Sequence, residues 1–356
     1  MHRDTRSIAD REAKLEALHA TLTDAVAQLT TEAQWRRAID FAARFRRRSF
    51  SNSLLIYVQH TAAFEAGRVN APTPTYVAGY GQWQHLGRQV LKGQTGYMIF
   101  APVTRRMVAT HPDTGPWRTL DRGEKPDPVE TVRTRMIGVR PAYVWDVSQT
   151  DGDPLPAPPR SRLLEGAAPP GLWDGLATQA RAAGFTVGDA ADADGIRGAN
   201  GQTNHTDHTV TVRADMDDAA RVKTLAHELA HVILHGPDND EAGTHRGVAE
   251  VEAESVALMT LAAHGVDTSR FTVPYVATWA ATVSAADPVQ VVTATFDRVR
   301  TTALAILDRL DTTQVSDGTP PPLPDVSPAA GSSATTPRVP DSPAAAASRE
   351  TQGVAL

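Results

Sequence analysis

The chain has 356 residues, a formal net charge of −6 and no cysteine. The missing thiols exclude disulfide staples and thiolate ligands, so a bound metal must rely on His, Asp or Glu. The amino terminus is charged from the start and no run of eighteen apolar residues follows; the expectation is a cytoplasmic protein with no membrane partner. Residues 1–148 carry 21 Lys and Arg against 14 Asp and Glu, whereas the remainder carries 14 against 27. A basic first half is compatible with a polyanionic partner.

In chain order, residues 5–30 predict a helix with Ile8, Leu15, Leu18, Leu22 and Val26 on one stripe. Residues 31–45 predict a second amphipathic helix, opened by the capping signature of Thr31 and Gln34. Between 72 and 103 the texture changes to short alternating runs broken by Gly and Pro, which read as strands and turns around a short helix at 81–86. A polar loop at 110–130 precedes a return to strand texture at 136–150. DGDPLPAPP, 151–159, reads as a linker between a first domain, 1–150, and a second, 160–310. The second domain predicts a helix at 172–183, a strand at 208–213, and helices at 217–235, 246–264, 272–284 and 287–309. Eight prolines among residues 311–356, mixed with Ala, Ser and Thr, predict a disordered tail. The expected fold class is α+β, with an α/β first domain and a mainly helical second one.

The stretch LAHELAHVILHG, 225–236, carries the sharpest chemical signal. His227 and His231 are four residues apart, so on a helix both rings leave one face and can meet one cation. Glu228 stands where a carboxylate reaches a metal-bound water. Further on, EVEAE places Glu250 and Glu254 one turn apart on a return helix. Two His and one Glu with an open fourth position form a catalytic zinc arrangement. Glu250 is therefore the expected third ligand, and Glu254 the expected partner of a ligand ring N–H. Glu252 is expected on a solvated side. His235 competes for the third position but lies roughly 12 Å from His227 along the axis, so it is read as a nearby hydrogen-bonding or core histidine. The expected chemistry is metal-assisted peptide hydrolysis, with Glu228 taking a proton and passing it to the leaving amine. Residue type alone offers His205, His208, His264 and Tyr275 as a second electrophile.

In the first domain, Arg37, Arg44 and Arg48 fall on one helix side with Arg36 and Arg47 close by. Downstream, Tyr76, Tyr80, Trp83 and His85 are interleaved with Arg88 and Lys92. Aromatic rings among cations suit a single strand, whose bases stack while its phosphates pair. Arg37, Arg44, Arg47, Arg48, Tyr80, Trp83, Arg88 and Lys92 are therefore candidate nucleic-acid contacts. The same pattern also fits a buried Trp83 and solvated arginine faces.

Three blocks in order, FSNSLLIYVQ, TYVAGYGQWQHLGRQVLKGQTGYMIFAPV and YVWDVSQTDG, resemble the amino-terminal single-stranded-DNA-binding domain of plasmid antirestriction proteins of the ArdC type, over about residues 10–150. TLAHELAHVILH, VAEVEAESVAL and YVATWAATVSAADPVQVVTATF resemble the accompanying zinc-metallopeptidase-like domain, akin to the ImmA/IrrE group. The resemblance implies a gluzincin with a thermolysin-like core, Zn2+ on His227, His231 and Glu250, catalytic Glu228, and protection of mobile DNA from host restriction. Glu254 stands where many gluzincins have Asp, and the tail lies outside the shared pattern. Two other readings share these residues: a regulatory zinc endopeptidase cleaving a repressor-like protein substrate, and a non-enzymatic DNA coat with a structural metal. Glu228 argues against the latter, because a structural site needs no general base.

Overall fold

Thr31 begins the second helix as its spacing predicts: its side chain accepts from the Gln34 N–H, and the Gln34 side chain accepts from the Thr31 N–H. The computed structural model describes residues 2–29, 31–121, 123–155, 166–236, 246–268, 271 and 288–321. Helices α1 (His2–Ala27), α2 (Glu32–Arg44) and α3 (Phe50–Glu65) come first. Ser49 caps α3 by accepting from the Asn52 N–H, so the arginine cluster lies at the junction of α2 and α3.

The β-rich part follows: β1 (Val77–Gly79), α4 (Tyr80–His85), β2 (Arg88–Val90), β3 (Tyr97–Ala109), β4 (Arg118–Thr119), β5 (Thr131–Asp146) and β6 (Thr150–Gly152). The larger sheet has the order β1-β5-β3-β4 and all its pairings are antiparallel; β2 and β6 pair separately. Near its start β3 has no strand partner on one side. Two amide side chains of α3 satisfy it there. Asn52 donates to Phe100 O and accepts from Phe100 N (2.8 and 2.9 Å), and Gln59 does the same with Met98 (2.9 and 2.8 Å). These amides explain why FSNSLLIYVQ needs its polar residues inside an otherwise apolar helix.

The second half contains α5 (Leu172–Ala182), β7 (Thr186–Ala190), β8 (Gly201–Asn204), β9 (Thr209–Arg213), α6 (Asp218–Leu234), α7 (Arg246–Ala263) and α8 (Pro288–Leu307). Its sheet has the order β7-β9-β8, with β7 parallel and β8 antiparallel to β9. Of these strands the sequence predicts β9, while β7 and β8 lie in polar, Gly-rich stretches without alternation. Asp217 caps α6 by accepting from the Ala220 N–H.

One core joins the two halves. Trp35 of α2 is fully buried, donates its ring N–H to Ser255 Oγ at 2.9 Å and lies 4.3 Å from the Phe296 ring. Phe50 of α3 stacks on the same Phe296 at 3.6 Å. Residues 1–321 thus form a continuous unit. No described helix is long and apolar enough to cross a membrane.

Two expectations change. Residues 151 and 152, placed in the linker, belong to β6 and pair with β2. Residues 311–321, placed in the disordered tail, are held on the body. Arg46 donates to the Gln314 side chain and to Val315 O, Arg47 pairs with Asp317 at 2.8 Å, and Val77 N donates to Gly318 O. Composition misled here because polar contacts from Arg46, which is buried, and Arg47, which is exposed, supply the attraction that apolar residues usually give. The remaining tail 322–356, the helix at 272–284 and residues 156–159 of the linker lie outside the described residues.

Gly318 has φ +76°, and an added Cβ would lie 2.3 Å from Phe45 Cδ1. Gly318→Ala should destabilise the protein by about 1–3 kcal/mol through backbone strain and overpacking. Unchanged thermal unfolding of that variant would show that this segment is not seated on Phe45.

Candidate metal centre and nucleic-acid interface

Helix periodicity places His227 and His231 on one face of α6, and α7 returns antiparallel-fashion beside it to bring Glu250 to the same point. His227 Nε2 lies 3.1 Å from His231 Nε2 and 3.5 Å from Glu250 Oε2; His231 Nε2 lies 3.8 Å from Glu250 Oε2. Tetrahedral zinc with ligands at about 2.0 Å separates its ligand atoms by about 3.3 Å. The observed separations bracket that value, and the three residues form a group able to hold a metal ion. The donor set therefore fits zinc, and it also suits other borderline divalent cations.

Each histidine is oriented from behind. His227 Nδ1 meets Glu254 Oε2 at 3.0 Å, and Lys223 Nζ reaches the same oxygen at 2.6 Å. His231 Nδ1 meets His235 Nδ1 at 2.9 Å, and His235 Nε2 meets Glu252 Oε2 at 3.2 Å. Arg298 Nε donates to Glu252 Oε1 at 2.7 Å. With His231 Nε2 facing the shared point, its Nδ1–H donates to His235, whose Nε2–H donates to Glu252. Both His235 nitrogens are engaged in this way. Glu252 is corrected from a solvated residue to a buried one, 4% exposed, because α8 covers the side of α7 that the sequence left open.

Burial alone would lower the His227 pKa, but hydrogen bonds to Glu250 and Glu254 outweigh it and raise the ring to about 9. Hydrogen bonds from His227 and His231 hold Glu250 well below the ordinary carboxylate range. Without metal, a proton on His227 Nε2 thus sits where a cation would bind. Glu228 is buried, and its Oε2 accepts from the Thr203 hydroxyl at 2.7 Å. Strand β8 approaches closely because residue 201 is glycine: a Cβ there would lie 2.5 Å from Thr224 Cγ2 and 2.7 Å from Glu228 Oε1. Thr203 and Gly201 were not singled out in the sequence, where no motif marks β8.

The electrophile candidates separate. His205 follows β8 directly; burial lowers its pKa, and the charges of His231 and His235 lower it further, so it lies within electrostatic reach of the centre. The His208 ring lies against Phe185. His264 is a core residue, donating to Thr260 O and accepting from Thr312 Oγ1. Tyr275 lies outside the described residues.

The candidate nucleic-acid contacts also divide. Trp83 is fully buried and donates to Trp145 O, so it offers no face to a base. Arg88 is buried and donates to Thr150 and Gly152 carbonyls; Arg48 donates to Val77 O at 2.5 Å. These three hold the fold together: Trp83 centres a small separate apolar cluster, Arg88 ties β2 to β6, and Arg48 ties the junction of α2 and α3 to β1. Arg47 is exposed but ion-paired with Asp317. Arg37, Arg44, Tyr80 and Lys92 are exposed. Tyr80 lies edge-on to Trp145.

These features define a mixed α/β protein with a His, His, Glu group beside a buried carboxylate and a basic amino-terminal region. Residues 14–143 match the family model of the N-terminal domain of anti-restriction factor ArdC. Two solved structures of the antirestriction ArdC protein from R388 plasmid are similar to the chain. The metal-free one has 19% identity and a TM-score of 0.45, covering 73% of this chain and 84% of that one. The Mn(II)-bound one has 18% identity and a TM-score of 0.41, covering 73% and 87%. No curated protein matches the chain.

His231→Ala should remove most bound zinc, and Glu250→Ala should weaken zinc binding far more than His235→Ala; competition titration with a chromophoric chelator measures all three. Full occupancy in His231→Ala, or the reverse ranking of the other two, would overturn the ligand set. Metal affinity should also depend on pH. His227 holds its proton up to about pH 9 without metal and must lose it to ligate, so apparent affinity should rise about tenfold per unit between pH 7 and 8 and level off above 9. A flat profile would show that His227 is already unprotonated.

Proposed function

We propose that the chain is a single-stranded-DNA-binding antirestriction protein that carries a zinc-dependent, gluzincin-type peptidase site akin to the ImmA/IrrE group. The match of residues 14–143 supports the antirestriction and DNA-associated part of this reading. The hydrolytic part rests on one observation: Glu228 is buried beside the metal group with its carboxylate oriented by Thr203. A metal held for structure alone has no use for a buried carboxylate in that place.

Zinc held by His227, His231 and Glu250 would supply Lewis acidity and acidify a water. Glu228 would accept a proton and deliver it to the leaving amine, with Thr203 keeping the accepting oxygen in place. Strand β8 is the edge of its sheet and passes Glu228 through Gly201 and Thr203. An extended peptide pairing with that edge would bring its carbonyls to the site, which favours a protein substrate in extended form. His205, at the end of β8, is suited to hydrogen-bond a developing oxyanion.

Glu228→Gln should retain fold and metal while lowering peptide hydrolysis by at least about 100-fold, since the amide accepts no proton. Comparing shortened proteins in cells expressing wild type or Glu228→Gln identifies the substrate, and transfer of unmodified DNA into a restricting recipient tests the biological role. Cleavage by the variant at an undiminished rate would refute the mechanism.

A further inference from the structure

The β3–β5 ribbon carries a surface that the motifs do not reveal. On β3, residues 101, 103, 105 and 107 alternate onto one face, and their partners across the ladder are Arg140, Gly138, Arg135 and Arg133. Arg105, Arg133, Arg135 and Arg140 therefore share that face. Arg140 joins the others because the register shifts between Val103 and Thr104, which leaves Ile137 as an extra residue in β5. Without that bulge the even-numbered Arg140 would point to the opposite side.

Nearer the body, the same face is apolar and buried: Tyr97, Ile99 and Val144 pack against Phe41 and Ile56. Beyond the core edge it becomes basic. All four arginines are exposed, as is Arg106 on the other face. No carboxylate occurs between Tyr97 and Pro112 or between Thr131 and Trp145. Among the described residues none of the five arginines has an ion-pair partner, whereas Arg118 at the ribbon's far end is paired with Glu124 and Glu130. Arg105 and Arg135 are directly opposed. Two like charges at that separation destabilise a ladder. A solvated face would mix signs; this one holds its repulsion uncompensated. The Arg133 guanidinium also lies 3.7 Å over the Trp117 ring, and Met136 and Ile137 are exposed beside the arginines. Cations, a ring and apolar side chains together suit phosphates and unpaired bases.

We infer that the outer half of the β3–β5 ribbon, through Arg105, Arg133, Arg135 and Arg140, is the surface on which a single DNA strand lies. This rests on the proposed DNA binding and assigns it to residues different from those the sequence suggested.

The test uses the full chain in fluorescence anisotropy with a labelled 30-nucleotide strand and the corresponding duplex, between 50 and 200 mM salt. R105S/R135S should bind the strand at least tenfold more weakly at low salt. Its salt slope should be shallower by about 1.4, from two lost phosphate contacts. Its melting temperature should equal or exceed that of wild type, because an opposed charge pair is removed. R181S/R309S, the same charge change at exposed positions elsewhere, should bind within twofold of wild type. Wild-type affinity and slope in R105S/R135S would overturn the ribbon assignment and leave DNA binding standing; so would equal losses in R181S/R309S. Tighter binding to duplex would overturn the single-strand assignment. No binding of either form by wild type would overturn the DNA reading and the ribbon with it.

Discussion

Carboxylates buried between α6, α7 and α8 constrain everything around the centre. An ionised carboxylate out of water is costly unless paired and hydrogen-bonded. Glu254 is matched by His227 and Lys223, Glu252 by His235 and Arg298, and Glu228 by Thr203. The side chains of Glu252 and Glu254 are 6% and 2% exposed, whereas that of Glu250 is 25% exposed. Glu250 is thus the most exposed of these carboxylates, and its Oε2 faces the Nε2 atoms of both His227 and His231, where a cation would sit. Residues of this kind come as a set, because removing one partner strands another charge.

The metal group was legible because helical spacing survives folding: His227, His231, Glu250 and Glu254 meet wherever two such helices lie side by side. Glu252 was misread for a related reason. Periodicity says that it leaves α7 on another side than Glu250, but not that α8 covers that side. Helix α7 is buried continuously from Val251 to Leu261, and a helix buried all round has no solvated face to find. Trp83 and Arg88 were misread through composition. An aromatic among cations looks the same whether the ring meets a base or a small core.

Strands were harder. Neither β7 nor β8 alternates apolar and polar residues, and β8 uses Gly201 for close approach to Glu228 instead of a packing side chain. The arginine face of the ribbon could not be read by counting at all. Arg133 and Arg135 are in phase by parity and Arg140 is not, so the face exists only once the bulge at Ile137 is known. Bulges are set by pairing across the ladder, which a single strand's sequence does not display. The three ArdC-like blocks were nevertheless legible, and Asn52 and Gln59 show why such blocks are specific: each amide must match a strand backbone 39 or more residues away.

The opposite charges of the two halves suggest separate modules, yet the core argues for a single mechanical unit. Helix α7 carries Glu250 and Glu254 on one side and packs against α2 on another, where Ser255 accepts from Trp35. Helices α2 and α3 in turn support the sheet from which the ribbon extends, through Asn52 and Gln59. Binding energy at the metal stabilises whatever unfolds together with the site, by about 2.7 kcal/mol at a free metal concentration one hundred times its Kd. The ribbon's scaffold therefore shares in that stabilisation although no ligand atom lies near it. The acidic second half contributes differently. With 14 Lys and Arg against 27 Asp and Glu it would repel phosphates, so a strand bound as proposed would stay on the basic half and away from the approach to Glu228.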